Sequence, residues 1–204
     1  MYRISMLALS AFASISLAPH VHAAVTLGQK APEFTAKDVS GKTVNLADFK
    51  GKHVVLEWVN PGCPFVRKHY NGGNMQSTQK DAATKGVVWL AINSTETSHV
   101  DYLDPGKLCA WMKEKSSVVN ATLMDESGSI GKAYGAKTTP HMYIINPQGN
   151  LVYAGGIDSI PSAREADIAK ATNHVKAALA EAAQGKAIST ASTAPYGCSV
   201  KYKS

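Results

Sequence analysis

The stretch VVLEWVNPGCPFVRKHY, residues 54–70, decides how this chain is read. Its first six residues are almost continuously apolar, bounded by Gly51-Lys52 before and Pro61-Gly62 after. Such a run predicts a strand buried on both faces of a sheet. Pro64 then suits the first turn of a helix, where its missing N–H costs nothing. Cys63 therefore stands at a strand-to-helix turn. Unpaired N–H groups and the dipole at a helix N-terminus favour a thiolate there, and Arg67, four positions on, adds a fixed positive charge. Ligand sites of open α/β sheets lie past the carboxyl ends of strands, so the sulfur is expected to be accessible. The partner position of a C-x-x-C motif is Val66. A second redox sulfur must come from elsewhere.

Working outward, residues 34–37 and 43–46 read as a hairpin around Ser40-Gly41. The helix from Pro64 is expected to break or kink at Gly72-Gly73 and resume over residues 75–84. A second buried strand covers residues 87–93, followed by a long polar loop, a helix over 107–116, a strand over 121–124 and a short helix over 127–134. Strands over 141–146 and 151–154 are joined across Pro147-Gln148-Gly149-Asn150. Ser162 with Glu165 reads as a capping box opening one helix to about residue 184, with Ile168, Thr172, Val175, Leu179 and Ala182 as its buried stripe. Gly185 stops it. Beyond it the chain turns small and polar, as a tail laid over the domain surface. This order describes an α/β sandwich with a central mixed β-sheet flanked by helices and an N-terminal hairpin extension.

The opening MYRISMLALSAFASISLAPHVHA has a basic residue, Arg3, an apolar run over 4–17, and small residues at Val21 and Ala23. Residues 1–23 therefore read as a cleaved secretory signal. The run is short for a bilayer span and no later candidate follows, so no stable membrane insertion is expected. The organisation is then signal (1–23), domain (24–185) and tail (186–204), in a periplasmic or secreted protein. Removing the signal removes Arg3 and no acid, so the net charge falls from +6 to +5. The charges are scattered, without Lys/Arg blocks or interleaved aromatics, which argues against nucleic acid as a partner. Three cysteines, Cys63, Cys109 and Cys198, allow one intramolecular pair at most. In an oxidising compartment such a pair can persist.

LGQKAPEFTAKDVSGKTVNLADFKGK, the turn NPGCPF, the pair Thr139-Pro140 and the hairpin IINPQGNLVYAG together resemble the thioredoxin-fold superfamily over roughly residues 27–184. The redoxin branch is the nearer resemblance: alkyl hydroperoxide reductase/thiol-specific antioxidant proteins and periplasmic thiol–disulfide oxidoreductases. Two departures stand out. Peroxiredoxins carry P-x-x-x-T-x-x-C, and here Leu56 and Asn60 occupy the Pro and Thr positions. The chain is thus similar to peroxiredoxin-like proteins that keep a single cysteine at the first C-x-x-C position.

The resemblance implies roles. Cys63 is the attacking nucleophile. Pro140 is a cis-proline whose neighbouring backbone pairs with substrate. Glu57 is a buried acid whose desolvated carboxyl accepts the thiol proton, unless it faces solvent at a strand edge. Apart from the resemblance, the reach of the tail makes Cys198 the candidate resolving thiol: an extended stretch from Gly185 covers up to ~40 Å, enough to return to the cysteine turn, and Tyr196 and Tyr202 could dock it. A static Cys63–Cys198 disulfide, or a solvent cysteine, are the other readings. Cys109, between Leu108 and Trp111, reads as a buried small hydrophobe, and Trp58 and Trp89 as core. His69 and His141 lack metal-ligand spacing. No metal and no cofactor are expected. The leading expectation is a thiol-dependent oxidoreductase acting on a thiol or disulfide protein, or on a peroxide with a thiol reductant. The alternative is a non-enzymatic copper chaperone or a partner-binding module.

Overall fold

The structure, a computed structural model, describes residues 25–203. The expected signal over residues 1–23 lies outside them. The strands are β1 (Thr35–Asp38), β2 (Thr43–Asn45), β3 (Val54–Trp58), β4 (Val88–Asn93), β5 (Ala121–Met124), β6 (Thr138–Thr139), β7 (His141–Ile145), β8 (Leu151–Gly155) and β9 (Cys198–Ser199). The α-helices are α1 (Pro64–Asn71), α2 (Asn74–Thr84), α3 (Pro105–Glu114), α4 (Ser129–Tyr134) and α5 (His174–Ala183).

Seven strands form one mixed sheet in the order β2-β1-β5-β4-β3-β7-β8. The β3–β4 and β4–β5 pairs are parallel, and β7 and β8 add an antiparallel edge. The period of two in β3 divides its side chains between two cores. Val55 and Val59 join Val66, Tyr70, Met75, Leu108, Val175 and Leu179 under α1, α2, α3 and α5. Val54, Leu56 and Trp58 face the other way, against Leu46, Ile130 and Tyr134. Burial on both faces explains why β3 reads as an apolar run rather than an alternating one. The chain thus has the mixed α/β, thioredoxin-like architecture expected from its sequence. Trp58 and Trp89 are core residues, as expected.

Differences lie at helix starts and in the C-terminal third. Helix α3 starts two residues earlier than read, because Asp104 caps it, accepting from the Lys107 N–H at 2.9 Å, with Pro105 in the first turn. Cys109 is half-buried rather than buried, since α3 turns Leu108 and Met112 inward instead. The single helix expected over 162–184 is two elements, a 3₁₀ turn (Glu165–Lys170) and α5. Ser162 does not cap: its hydroxyl donates to Asp167 at 2.7 Å. The backbone of residues 172–174 pairs instead with residues 157–159, through Ser159 N–H to Thr172 O at 3.0 Å and His174 N–H to Ile157 O at 2.9 Å. That bridge takes groups a continuous helix would need. Asn173 then caps α5, accepting from the Lys176 N–H at 2.9 Å.

Candidate active site

The turn after β3 is held by its own side chains. Asn60 accepts from the Gly62 N–H at 2.7 Å, and its backbone carbonyl accepts from the Cys63 N–H at 3.0 Å. Its amide donates to Asp101 at 3.3 Å, tying the long loop before α3 to the turn. A Cβ at Gly62 would come within 2.7 Å of Asp101 Cγ, so a larger residue there would push the Asp101 carboxylate off the turn. Asn60 therefore replaces the missing threonine with a turn-building amide. Sequence reasoning marks Asn60 only as a departure at the threonine position and does not single out Asp101. The signal was present in Asn-Pro-Gly, a turn tripeptide.

Cys63 is the N-cap residue of α1, but its sulfur makes no capping hydrogen bond. It donates instead to the Thr139 carbonyl at 3.0 Å. Thr139 precedes Pro140 through a cis peptide bond. The access expected of Cys63 is absent: it is 1% exposed. The reason is the tail. Strand β9 lies antiparallel to β6, with Cys198 opposite Thr139 and Ser199 opposite Thr138. The same threonine thus holds one cysteine by its carbonyl and faces the other across the strand pair. Gly197 makes this approach possible: at φ 131° its missing Cβ leaves room for the Thr139 carbonyl.

Cys63, Cys109 and Cys198 are all free thiols. Burial pushes the Cys198 thiol up to about 12, reinforced by the hydrogen bond and charge of neighbouring Cys63 and by Asp101, and opposed by Lys201. Cys63 and Cys198, 135 positions apart in sequence, are therefore brought together.

Arg67 is exposed, and its Nε donates to the Pro61 carbonyl at 2.8 Å. It clamps the turn beside Cys63. Glu57 is fully buried, not at a solvent-facing edge. Tyr70 donates to one of its oxygens at 2.8 Å; Trp89 at 2.8 Å and Gln79 at 3.2 Å donate to the other. Burial raises its carboxyl to about 7, although these three donors pull it down. Its hydrogen bonds among the described residues run to α1, α2 and β4 and not to Cys63.

Beneath the tail lies a buried polar cluster. Lys68 pairs with Asp158 at 3.3 Å and donates to the Ile160 carbonyl at 3.1 Å. The Tyr196 hydroxyl donates to Asp158 and lies 3.0 Å from His69 Nε2. His69 Nδ1 lies 2.8 Å from the Asn74 amide, so both ring nitrogens are engaged. Burial holds the His69 and His141 rings down to about 4. Tyr196 and Tyr202 both dock the tail, as their aromatic character suggests. Lys68 and Asp158 are not legible as a pair, being 90 positions apart.

Relatives share this frame. The AhpC/TSA family profile matches residues 27–154. Thiol-disulfide oxidoreductase ResA of Bacillus subtilis is 29% identical over 129 residues, 63% of this chain and 66% of that protein. Peroxiredoxin Bcp of the same organism is 34% identical over 67 residues, 31% of this chain and 43% of that protein. A hypothetical protein of Sinorhizobium meliloti superposes with a TM-score of 0.75 at 26% identity, covering 89% of this chain and 97% of that one. The thioredoxin domain of a Bacteroides vulgatus thiol-disulfide oxidoreductase superposes at 0.52 and 22% identity, covering 72% and 98%, which shows the shared fold. The profile takes in the hairpin, the cysteine turn and the cis-proline strand that build the site, and on that span the chain belongs to the AhpC/TSA family.

Proposed function

We propose that this chain is a two-cysteine thiol–disulfide oxidoreductase, with Cys63 as the attacking sulfur and Cys198 as the resolving one. The observation that carries the reading is the pairing of Cys198 with Thr139, the residue whose carbonyl holds the Cys63 sulfur. A tail strand seated there brings two thiols together without a C-x-x-C motif. The division of labour follows from electrostatics. In the reduced pair burial and the neighbouring Cys63 hold the proton on Cys198 up to about 12, which suits Cys198 to the later, resolving step. Once Cys63 carries a disulfide it can neither hold negative charge nor accept the Cys198 hydrogen bond as a thiolate would. That part of the upward push on Cys198 then disappears, which frees it to attack.

The other residues have supporting roles in this reading. Arg67 fixes the turn through Pro61, and Pro140 fixes the carbonyl that receives the Cys63 thiol. Glu57, at about 7, is the buried group beneath the site able to exchange a proton near neutrality. Disulfide exchange is favoured over peroxide reduction because the peroxiredoxin Thr position holds Asn60, whose amide is spent on Gly62 and Asp101. A relative matched over 63% of this chain, a thiol-disulfide oxidoreductase, points the same way. An extracytoplasmic location rests on the leader-like sequence of residues 1–23. The test is reduction of oxidised glutathione at the expense of dithiothreitol, under single-turnover and steady-state conditions. Cys63→Ser should abolish the protein-dependent rate, and a Cys63→Ser variant working at the wild-type rate refutes the proposal.

A further inference from the structure

Strand β6 is two residues long, and among the described residues its strand partner is β9 of the tail. Cys63 lies against the Thr139 carbonyl of that same strand. An extended polypeptide bringing its own sulfur to Cys63 along β6 must therefore displace residues 197–199 first. The tail is also seated in places shaped for it. Thr193 accepts from the Gly156 N–H at 2.9 Å, and a Cβ at Gly155 would collide with it. Tyr202 packs where a Cβ at Gly128 or Gly131 would stand, and donates to the Ala136 carbonyl at 2.8 Å. Between these two anchors, Tyr196 reaches the buried cluster of Asp158, His69 and Lys68, with Lys68 Nζ 5.6 Å from its ring centroid and the Phe65 ring edge-on at 5.9 Å. Phe65, Lys68 and His69 belong to α1, the helix that Cys63 caps. The clasp and the nucleophile thus share one rigid element.

We propose that the seated tail is a substrate filter: it restricts Cys63 to low-molecular-weight disulfides and excludes extended cysteine-bearing polypeptides, with Tyr196 as the positioning residue that holds the filter shut. This rests on Cys63 being the reactive sulfur. The filter requires that a small disulfide reach Cys63 by moving the half-buried Cys198 side chain aside, whereas an extended chain along β6 needs β9 off it. The step is ordinary exchange. The Cys63 thiolate attacks one sulfur of the small disulfide, the new S–S bond forms, and the displaced thiolate leaves with the electron pair and takes a proton. Cys198, as thiolate, then attacks the Cys63 sulfur and expels the second small thiol. Two protein thiols become one disulfide, and one small disulfide becomes two thiols.

The test measures mixed-disulfide formation at Cys63 by intact mass and peptide mapping. It uses the full chain with Cys109→Ser and Cys198→Ala, so that neither other sulfur competes. The probes are oxidised glutathione and an extended decapeptide whose central cysteine is activated as a mixed disulfide with 2-thiopyridine. Tyr196→Phe removes the hydroxyl bonded to Asp158 and His69 but keeps the ring. Gly197→Ala places a Cβ against the Thr139 carbonyl and acts at the strand pair itself. With either substitution the peptide rate should rise about tenfold or more, the scale of losing one hydrogen bond to a charged group. The glutathione rate should move less than threefold, so the ratio between the probes shifts. An unchanged ratio in both variants overturns the filter, as does a parent protein that takes the peptide as readily as glutathione after correction for probe reactivity. The function reading fails separately, if neither probe modifies Cys63 in any variant while the folded protein is intact by circular dichroism; that outcome overturns the filter as well.

Discussion

Replacing Glu57 with glutamine should change how stability depends on pH. Glu57 is wholly buried on β3, and burial raises its carboxyl from an ordinary 4.5 to about 7 against the pull of Trp89, Tyr70 and Gln79. Below about pH 4.5 the carboxyl is neutral in both folded and unfolded chains, and its contribution is fully present. Between 4.5 and 7 the unfolded chain releases the proton while the folded chain keeps it, so stability falls as pH rises. Above 7 the loss levels off at about 3 kcal/mol, the cost of a shift of this size. His69 and His141 act in the opposite direction. Their rings are held down to about 4, so they cost stability as pH falls below 6.5. The wild-type profile mixes these effects, and the difference between variant and wild type isolates Glu57. A glutamine retains one acceptor for Trp89 and Gln79 and can donate to Tyr70, which keeps the network closed. Urea unfolding from pH 4.5 to 8 should show the variant gaining about 3 kcal/mol on wild type across that range, a rise of roughly 6–12 °C in relative Tm for a chain this size. A difference that stays flat with pH refutes the assignment of a raised Glu57 carboxyl.

Three further outcomes follow from named contacts. Asp158→Ala leaves Lys68 buried and unpaired and should cost about 3–5 kcal/mol in urea unfolding; a cost under 1 kcal/mol contradicts a desolvated pair. Cys198→Ser should hold the glutathione adduct on Cys63, seen as a persistent mass increase, where wild type sheds it; loss of the adduct at the wild-type rate would assign resolution to another group. Gly131→Ala collides with Tyr202 and should loosen the end of the tail. Limited proteolysis should then cut after residue 195 at least several-fold faster, with the melting of the main domain little changed, and equal protection of the tail would argue against the docking described.

The parts of the fold legible in the sequence are those written locally. The buried strand over residues 54–59 shows itself because both its faces meet a core, and Pro61, Gly62 and Pro64 punctuate the turn and the helix start. The C-terminal helix departs from its sequence pattern: Ser162 and Glu165 have capping-box spacing, but Asp167 takes the Ser162 hydroxyl, and the pairing of residues 157–159 with 172–174 competes for the backbone. That competition is long-range and leaves no periodic trace. The candidate site divides likewise. Cys63, Pro140 and Glu57 lie at positions fixed by local pattern and resemblance. The burial of Cys63, the seating of Cys198 opposite Thr139 and the Lys68–Asp158 pair depend on segments far apart in sequence meeting in space. Gly197 carried a trace of it, as a glycine next to a cysteine where the backbone must pass a carbonyl closely.

If Cys63 and Cys198 form one redox pair, disulfide mapping of the full chain will show it after reduction, removal of the reductant and oxidation with one equivalent of oxidised glutathione. The expected dominant product is a Cys63–Cys198 disulfide, with Cys109 free and no glutathione retained. A stable product in which Cys63 stays reduced, or is bonded to Cys109 or to a second chain while Cys198 remains a thiol, contradicts the pairing.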